Sequence, residues 1–316
     1  MKSAIVPSFL AALALCSIVH VALHGQTPTA TPGAPPAKVP FKTIKPETPP
    51  GFTLVVKEVA VHPEHTVTLT IYVPDKPGKY PAVLDIHGGG WKARQVEQDR
   101  PMMERLATHG FVTALVSYRL STEAPYPAAI HDCKAAVRYL RGHAAELKID
   151  SEHIGVMGGS AGGHLTGLMA TTNGLPELEG DGPNREQSSA VQAAIVMAGS
   201  MDIVTGNKAK SSEGAVLFFG GTYPEKSDLY EQASPLNHVR AGLPPIIFIE
   251  GEKDTVKAGR AEMQEKLRAL GIETDLHTLK DAPHPFWMSQ PWCDETVAIA
   301  ATFFKKHLGE PQAARP

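Results

Sequence analysis

Cysteine is scarce in this chain: there are three in 316 residues, and no two form a C-x-x-C pair. Fourteen histidines are present, yet none falls in H-E-x-x-H, so the common local signatures of bound zinc are missing and no metal site is expected. Positive charge is not concentrated either. Thirty lysines and arginines are dispersed against thirty-three acidic residues, a formal net charge of −3. That balance leaves no basic stripe for nucleic acid and no polybasic patch for a membrane surface. Cys16 lies in the apolar start of the chain, which leaves Cys133 and Cys293. Export would permit a disulfide between them. Two cysteines make no framework, however, and the favoured expectation is two small buried side chains inside helices.

Lys2 is followed by an apolar run over residues 5–23, the shape of a secretory signal peptide. No A-x-A triplet closes the run, so cleavage near Gly25 or Ala30 and retention as an N-terminal anchor both stay open. The expected product is secreted or periplasmic, with no stable membrane partner unless the leader is uncleaved. Residues 26–50 are crowded with proline and threonine and cannot bury enough apolar surface to offset the entropy of ordering, so they read as a linker. Residues 51–309 are then one catalytic domain, and residues 310–316 a disordered tail without pattern.

Within that domain, residues 53–61 and 66–73 alternate in the strand manner around a turn-prone stretch and predict an antiparallel hairpin. After it, short apolar runs alternate with helical periodicity. Strands are expected over 82–86 (with Asp85 inside), 111–117, 153–157, 191–198, 245–250 and 273–279. Helices are expected over 100–109, 127–142, 258–270 and 293–307. This is the pattern of an α/β fold with a mostly parallel central sheet, helices on both faces, and ligand chemistry at the carboxyl ends of the strands. Residues 171–189 and 207–234 interrupt the alternation and are the expected walls of a substrate cleft.

The stretch GGSAGGH at 158–164 sits where an apolar strand must turn sharply into an apolar helix. Glycines there let two backbone segments pass closely, while the turn lifts the Ser160 hydroxyl out and leaves the Ala161 N–H free at the helix start. A serine hydroxyl needs a base to take its proton and a third group to orient that base. His284, in the loop after the last strand, is the candidate base; His164, one turn into the elbow helix, reads as a packed histidine. Asp254, in the loop after residues 245–250, is the candidate acid, with Asp202 and Glu252 as alternatives. The run His87-Gly88-Gly89-Gly90-Trp91 follows the strand at 82–86. Gly88 and Gly89, with Ala161, are the expected donors to an oxyanion, and His87 would brace their loop. Trp91, Phe286 and Trp287 are the candidates for substrate contact, Trp91 packing under the loop or lining the cleft. Phe286, Trp287 and Trp292 equally suit a core.

With HGGGW, the YRLS segment at 118–121, GGSAGGH, Asp254 and His284 in this order, the chain resembles the α/β-hydrolase superfamily. It is similar to hormone-sensitive-lipase-like esterases and to bacterial carbohydrate esterases of the acetylxylan and feruloyl type. The resemblance implies acyl transfer at Ser160, His284 and Asp254 without a cofactor, on a small-molecule or polysaccharide ester. Two departures favour the carbohydrate-esterase side: Gly159 stands where lipase-like members usually carry aspartate, and no large N-terminal helical cap is present. A lipase-like carboxylesterase, or a peptidase or arylformamidase of the same fold, is the alternative, and a noncatalytic binding protein is disfavoured by the intact set of residues.

Overall fold

The computed structural model describes residues 42–205 and 212–313. The expected leader and residues 26–41 of the linker lie outside the described residues. No helix among the described residues is long and apolar enough to cross a membrane.

The hairpin forms as its alternation predicts: β2 (Phe52–Val61) pairs antiparallel with β3 (Thr66–Pro74) at one edge of the sheet. Then β4 (Gly78–Ile86), α1 (Val96–Ala107), β5 (Val112–Ser117), α2 (Ala128–Gly142), β6 (Ile149–Gly159) and α3 (Ala161–Thr171) alternate. A short α4 (Pro176–Glu179), β7 (Ala193–Met197), α5 (Glu213–Phe219) and α6 (Tyr223–Gln232) follow. The chain continues through β8 (Ile246–Gly251), α7 (Arg260–Ala269), β9 (Leu276–Leu279) and α8 (Trp292–Leu308). Across the sheet the order is β2-β3-β5-β4-β6-β7-β8-β9, antiparallel through the first three and parallel from β5 onward. The fold class therefore matches the reading of the sequence.

Both faces of the parallel strands are covered, which is why these strands are apolar on both sides rather than alternating with polar residues. In β4, Ala82, Leu84 and Ile86 enter the core shared with α2, α3 and α7, while Val83 enters the core shared with α1 and α8. Asp85, between Leu84 and Ile86, consequently projects toward α1. Cys133 on α2 and Cys293 on α8 are both free and buried, one in each core. Packing rather than bridging is their role.

Three expectations about organisation are corrected. The domain begins before residue 51, because a two-residue strand β1 (Lys42–Thr43) pairs with β10 (Ser289–Gln290) and the Glu47 N–H donates to Glu104 Oε2 at 2.7 Å. The tail is not free throughout: β11 (Gln312–Ala313) pairs antiparallel with the start of β4, and residues 314–316 lie outside the described residues. Residues 171–189 border a hollow beside Arg138, and among the described residues none of their hydrogen bonds reaches Ser160, Asp254 or His284. They fold along α2, where Glu179 accepts from Lys134 at 2.8 Å and Arg138 at 3.2 Å, and where Arg141 donates to Ala190 O at 2.8 Å. Buried cations on α2 require those acceptors, and α4 supplies them.

Candidate active site

Strand β6 ends at Gly159, α3 begins at Ala161, and Ser160 between them has φ 57° and ψ −118°. Such a positive φ in a residue with a side chain is strained, and the strain is what projects Oγ from the turn. The elbow forms only because α3 presses against the end of β4: a methyl on Gly162 would lie 1.7 Å from Ile86 O.

Two loops at neighbouring strand ends bring partners to this hydroxyl. Asp254 follows β8, is 4% exposed, and accepts the Val256 N–H on Oδ1 at 2.9 Å. Its Oδ2 lies 2.7 Å from His284 Nδ1, and His284 Nε2 lies 3.1 Å from Ser160 Oγ. A carboxylate can only accept, so the Nδ1 proton faces Asp254 and Nε2 presents a lone pair to the serine. Glu252 does not compete for the histidine; its Oε2 accepts the Asp281 N–H at 2.9 Å and so ties the acid loop to the base loop. Asp202 is occupied by the turn after it, accepting from the Val204 N–H at 2.7 Å and from Thr205. The structure thus brings together Ser160, His284 and Asp254 and leaves the two alternative acids elsewhere.

The glycine loop is braced from below. The Tyr118 hydroxyl donates to His87 O at 3.0 Å, and the His87 ring stacks on Tyr118 at 4.3 Å. Burial pushes His87 down to about 4, so it is a neutral support. Gly89 has φ +100°, and a methyl there would lie 2.1 Å from Ala93 O, so only glycine closes this turn. The Gly88 backbone lies beside the Asp99 carboxyl, whose Oδ2 has no hydrogen-bond partner among the described residues. Among the described residues, the N–H groups of Gly88, Gly89, Gly90 and Ala161 meet no acceptor, which leaves them available to a ligand beside Ser160.

The expected substrate contacts divide. Trp91, half-buried, packs under the loop: its indole donates to His164 Nδ1 at 3.2 Å and its ring stacks on Phe218 of α5 at 4.8 Å. Helix α5 thereby stands beside the glycine loop, held further by the Tyr126 N–H donating to Phe218 O at 2.7 Å. His164 is fully buried and donates from Nε2 to Ala233 O at 2.7 Å; burial pushes it down to about 4. It therefore packs behind the serine as expected. Phe286 and Trp287 are corrections. They are 0% and 1% exposed, because the turn at Phe286–Met288 tucks them between α1 and α8. Side chains so enclosed do not line an open cleft; Trp292, 5% exposed, is core as well.

Sequence reading passed over one residue altogether. Asp99 on α1 is fully buried and accepts the Trp287 indole N–H on Oδ1 at 3.0 Å. Its signal was available: Asp99 falls three, four and seven positions before Met102, Met103 and Leu106, on the apolar face of the helix. Asp85 lies beside it, and burial together with the Asp99 charge holds Asp85 well above the usual carboxylate range. No group of histidine, cysteine and acidic side chains among the described residues is arranged to hold a metal ion.

Comparison with known proteins gives consistent findings. A family model described as BD-FAE matches residues 69–265. Esterase LipQ of Mycobacterium tuberculosis is 30% identical over 239 residues, 72% of this chain and 56% of its own. Esterase 2 of Thermogutta terrifontis, solved with propionate bound, is 26% identical with a TM-score of 0.69, covering 84% of this chain and 97% of that one. A truncated carbohydrate esterase from gut microbiota has the same fold, with a TM-score of 0.72 at 24% identity over 83% of this chain and 100% of its own. The chain spans about half the length of the curated relatives it first matches.

Proposed function

The chain belongs to the BD-FAE family, and from that premise we propose that it is a serine esterase working through Ser160, His284 and Asp254. The observation that carries this reading is the unbroken relay from Asp254 Oδ2 through His284 to Ser160 Oγ, with contacts of 2.7 and 3.1 Å. His284 Nε2 takes the hydroxyl proton as Oγ attacks the ester carbonyl, and Asp254 stabilises the imidazolium so formed. The carbonyl oxygen becomes an oxyanion and is met by the N–H groups of Gly89 and Ala161, with Gly90 adjacent. Each such donor contributes about 3 kcal/mol in a water-poor site. The protonated imidazole then gives its proton to the departing alcohol. Water, activated by the same nitrogen, releases the acid from the acyl-serine.

Short acyl groups on a carbohydrate are the proposed substrate, and the enzyme is proposed to act after export. The leader-like run at 5–23 supports export. Propionate in the Thermogutta esterase and the carbohydrate esterase among the structural neighbours support a small acyl group on a sugar.

The test is initial rates on p-nitrophenyl acetate, butyrate and octanoate, then on acetylated xylan and methyl ferulate, for wild type and Ser160→Ala. Acetate preference with acetate released from xylan supports the reading. Octanoate preference makes the enzyme lipase-like and removes the carbohydrate assignment, and cleavage confined to anilides or N-formyl anilides moves it to the amidase side.

A further inference from the structure

Trp287 touches three parts of the site without touching its opening. Its indole N–H donates to Asp99 Oδ1 at 3.0 Å. The other end of its ring fills the space beside Gly159, where a methyl would lie 2.2 Å from Cζ2, so it abuts the residue immediately before the nucleophile. Its ring and that of His284 form a T-shaped pair, with centroids 5.4 Å apart at 89°. The Gly88 backbone of the glycine loop lies beside Asp99. The base loop, the nucleophile elbow and the glycine loop come from three distant parts of the chain, and this pair is where they meet.

We propose that Trp287 and Asp99 are positioning residues, one buried strut that holds His284, Ser160 and the oxyanion loop in mutual register for acyl transfer. The inference rests on the esterase reading above. Apolar packing alone does not account for it. Apolar side chains could fill a core without any polar atom, whereas an indole beside a fully buried carboxyl adds a polar group that must be satisfied. The carboxyl is also poised. Asp85 and Asp99 share one apolar site, and two adjacent carboxylates cannot both ionise there. Burial raises both above the ordinary carboxylate range. Tyr118 at the end of β5 and Cys293 on α8 also face the pair, burial pushing the tyrosine up and the thiol up to about 12. His87, at the head of the glycine loop, is neutral, and Arg94, the cation behind it, is spent on Glu123 at 2.7 Å. Negative charge on Asp99 is met by the Trp287 indole N–H, and a proton taken up by the carboxyl pair weakens that hydrogen bond.

Trp287→Phe keeps the ring and removes the donor; Asp99→Asn keeps the acceptor and removes the titration. With p-nitrophenyl acetate, Trp287→Phe is expected to lower kcat by about 10- to 100-fold with KM within about twofold, the size of effect that small misplacements produce. Thermal midpoint should fall by several degrees, because the buried Asp99 carboxyl loses its donor, and the rates are compared below the onset of unfolding. The acid limb of the kcat–pH profile should be less steep in Asp99→Asn than in wild type, because the variant removes a carboxyl that takes up a proton beside Trp287. A folded Trp287→Phe with wild-type kcat overturns the strut. Should that variant not fold, a folded Asp99→Asn with unchanged kcat and an acid limb as steep as that of wild type overturns it instead. Labelling of Ser160 by a fluorophosphonate gives a readout free of the choice of ester: slowed labelling in either variant supports the strut, and equal rates remove it. Wild type inert to both ester and fluorophosphonate sinks the esterase reading, and the strut with it.

Discussion

His284 and His164 both belong to the neighbourhood of Ser160, and their surroundings differ in what they allow a proton to do. The His284 side chain is 32% exposed, with a carboxylate on Nδ1 and the serine hydroxyl on Nε2. His164 is fully enclosed, with a backbone carbonyl on Nε2 and the Trp91 indole on Nδ1. An imidazolium at His284 has an anion beside it and water nearby. At His164 the second proton would have to displace the Trp91 donor in an apolar core, which is why burial pushes its titration down to about 4. One turn of helix separates Ser160 from His164, yet proximity to the nucleophile does not select the base. A partner that can stabilise the cation does.

The comparison breaks most visibly at His284. His284→Ala is expected to cost about 10⁴-fold or more in kcat, as loss of a relay member does, while thermal unfolding barely changes. His164→Ala should do the reverse in kind. It strands the Trp91 N–H and Ala233 O inside the core, lowering unfolding free energy by about 2–4 kcal/mol in urea titrations, with activity falling far less than at His284.

The pH dependence separates the same pair. His87 and His164 have folded-state values of about 4 against an ordinary 6.5. Between those limits the unfolded chain binds protons that the folded chain refuses, so stability rises with pH across that window and is lost as pH falls from about 6.5 toward 4. Each residue contributes a slope of up to roughly 1.4 kcal/mol per pH unit. His164→Gln, which donates without titrating, should remove one of the two contributions when denaturation is followed from pH 4 to 7. Smallest of all is Lys253→Ala. Its ion pair with Asp281 is more than half exposed on both sides, and the melting midpoint should move by no more than about one degree.

What was legible in the sequence follows the same physical divide. Ser160 and its glycines could be read because the elbow is local: the strand, the turn and the helix that define it are contiguous. Asp254 and His284 could be read because each stands just past the carboxyl end of a strand. Trp287 could not, since its donor's acceptor lies 188 positions earlier, on the inward face of α1. An aromatic next to a base looks the same in sequence whether it faces a sugar or a buried aspartate. Residues 171–189 were misplaced because polar composition marks an interruption without saying that buried cations on α2 would claim it. The short pairings of residues 42–43 and 312–313 carry too few residues for any periodicity to show.

The most direct test of the central claim is to quench wild type and Ser160→Ala with acid during p-nitrophenyl acetate turnover and weigh the peptides. The account predicts a burst of p-nitrophenolate and one acetyl group on the peptide bearing Ser160 in wild type, with neither in the variant. Acetyl on any other residue, or an undiminished burst from Ser160→Ala, would contradict it.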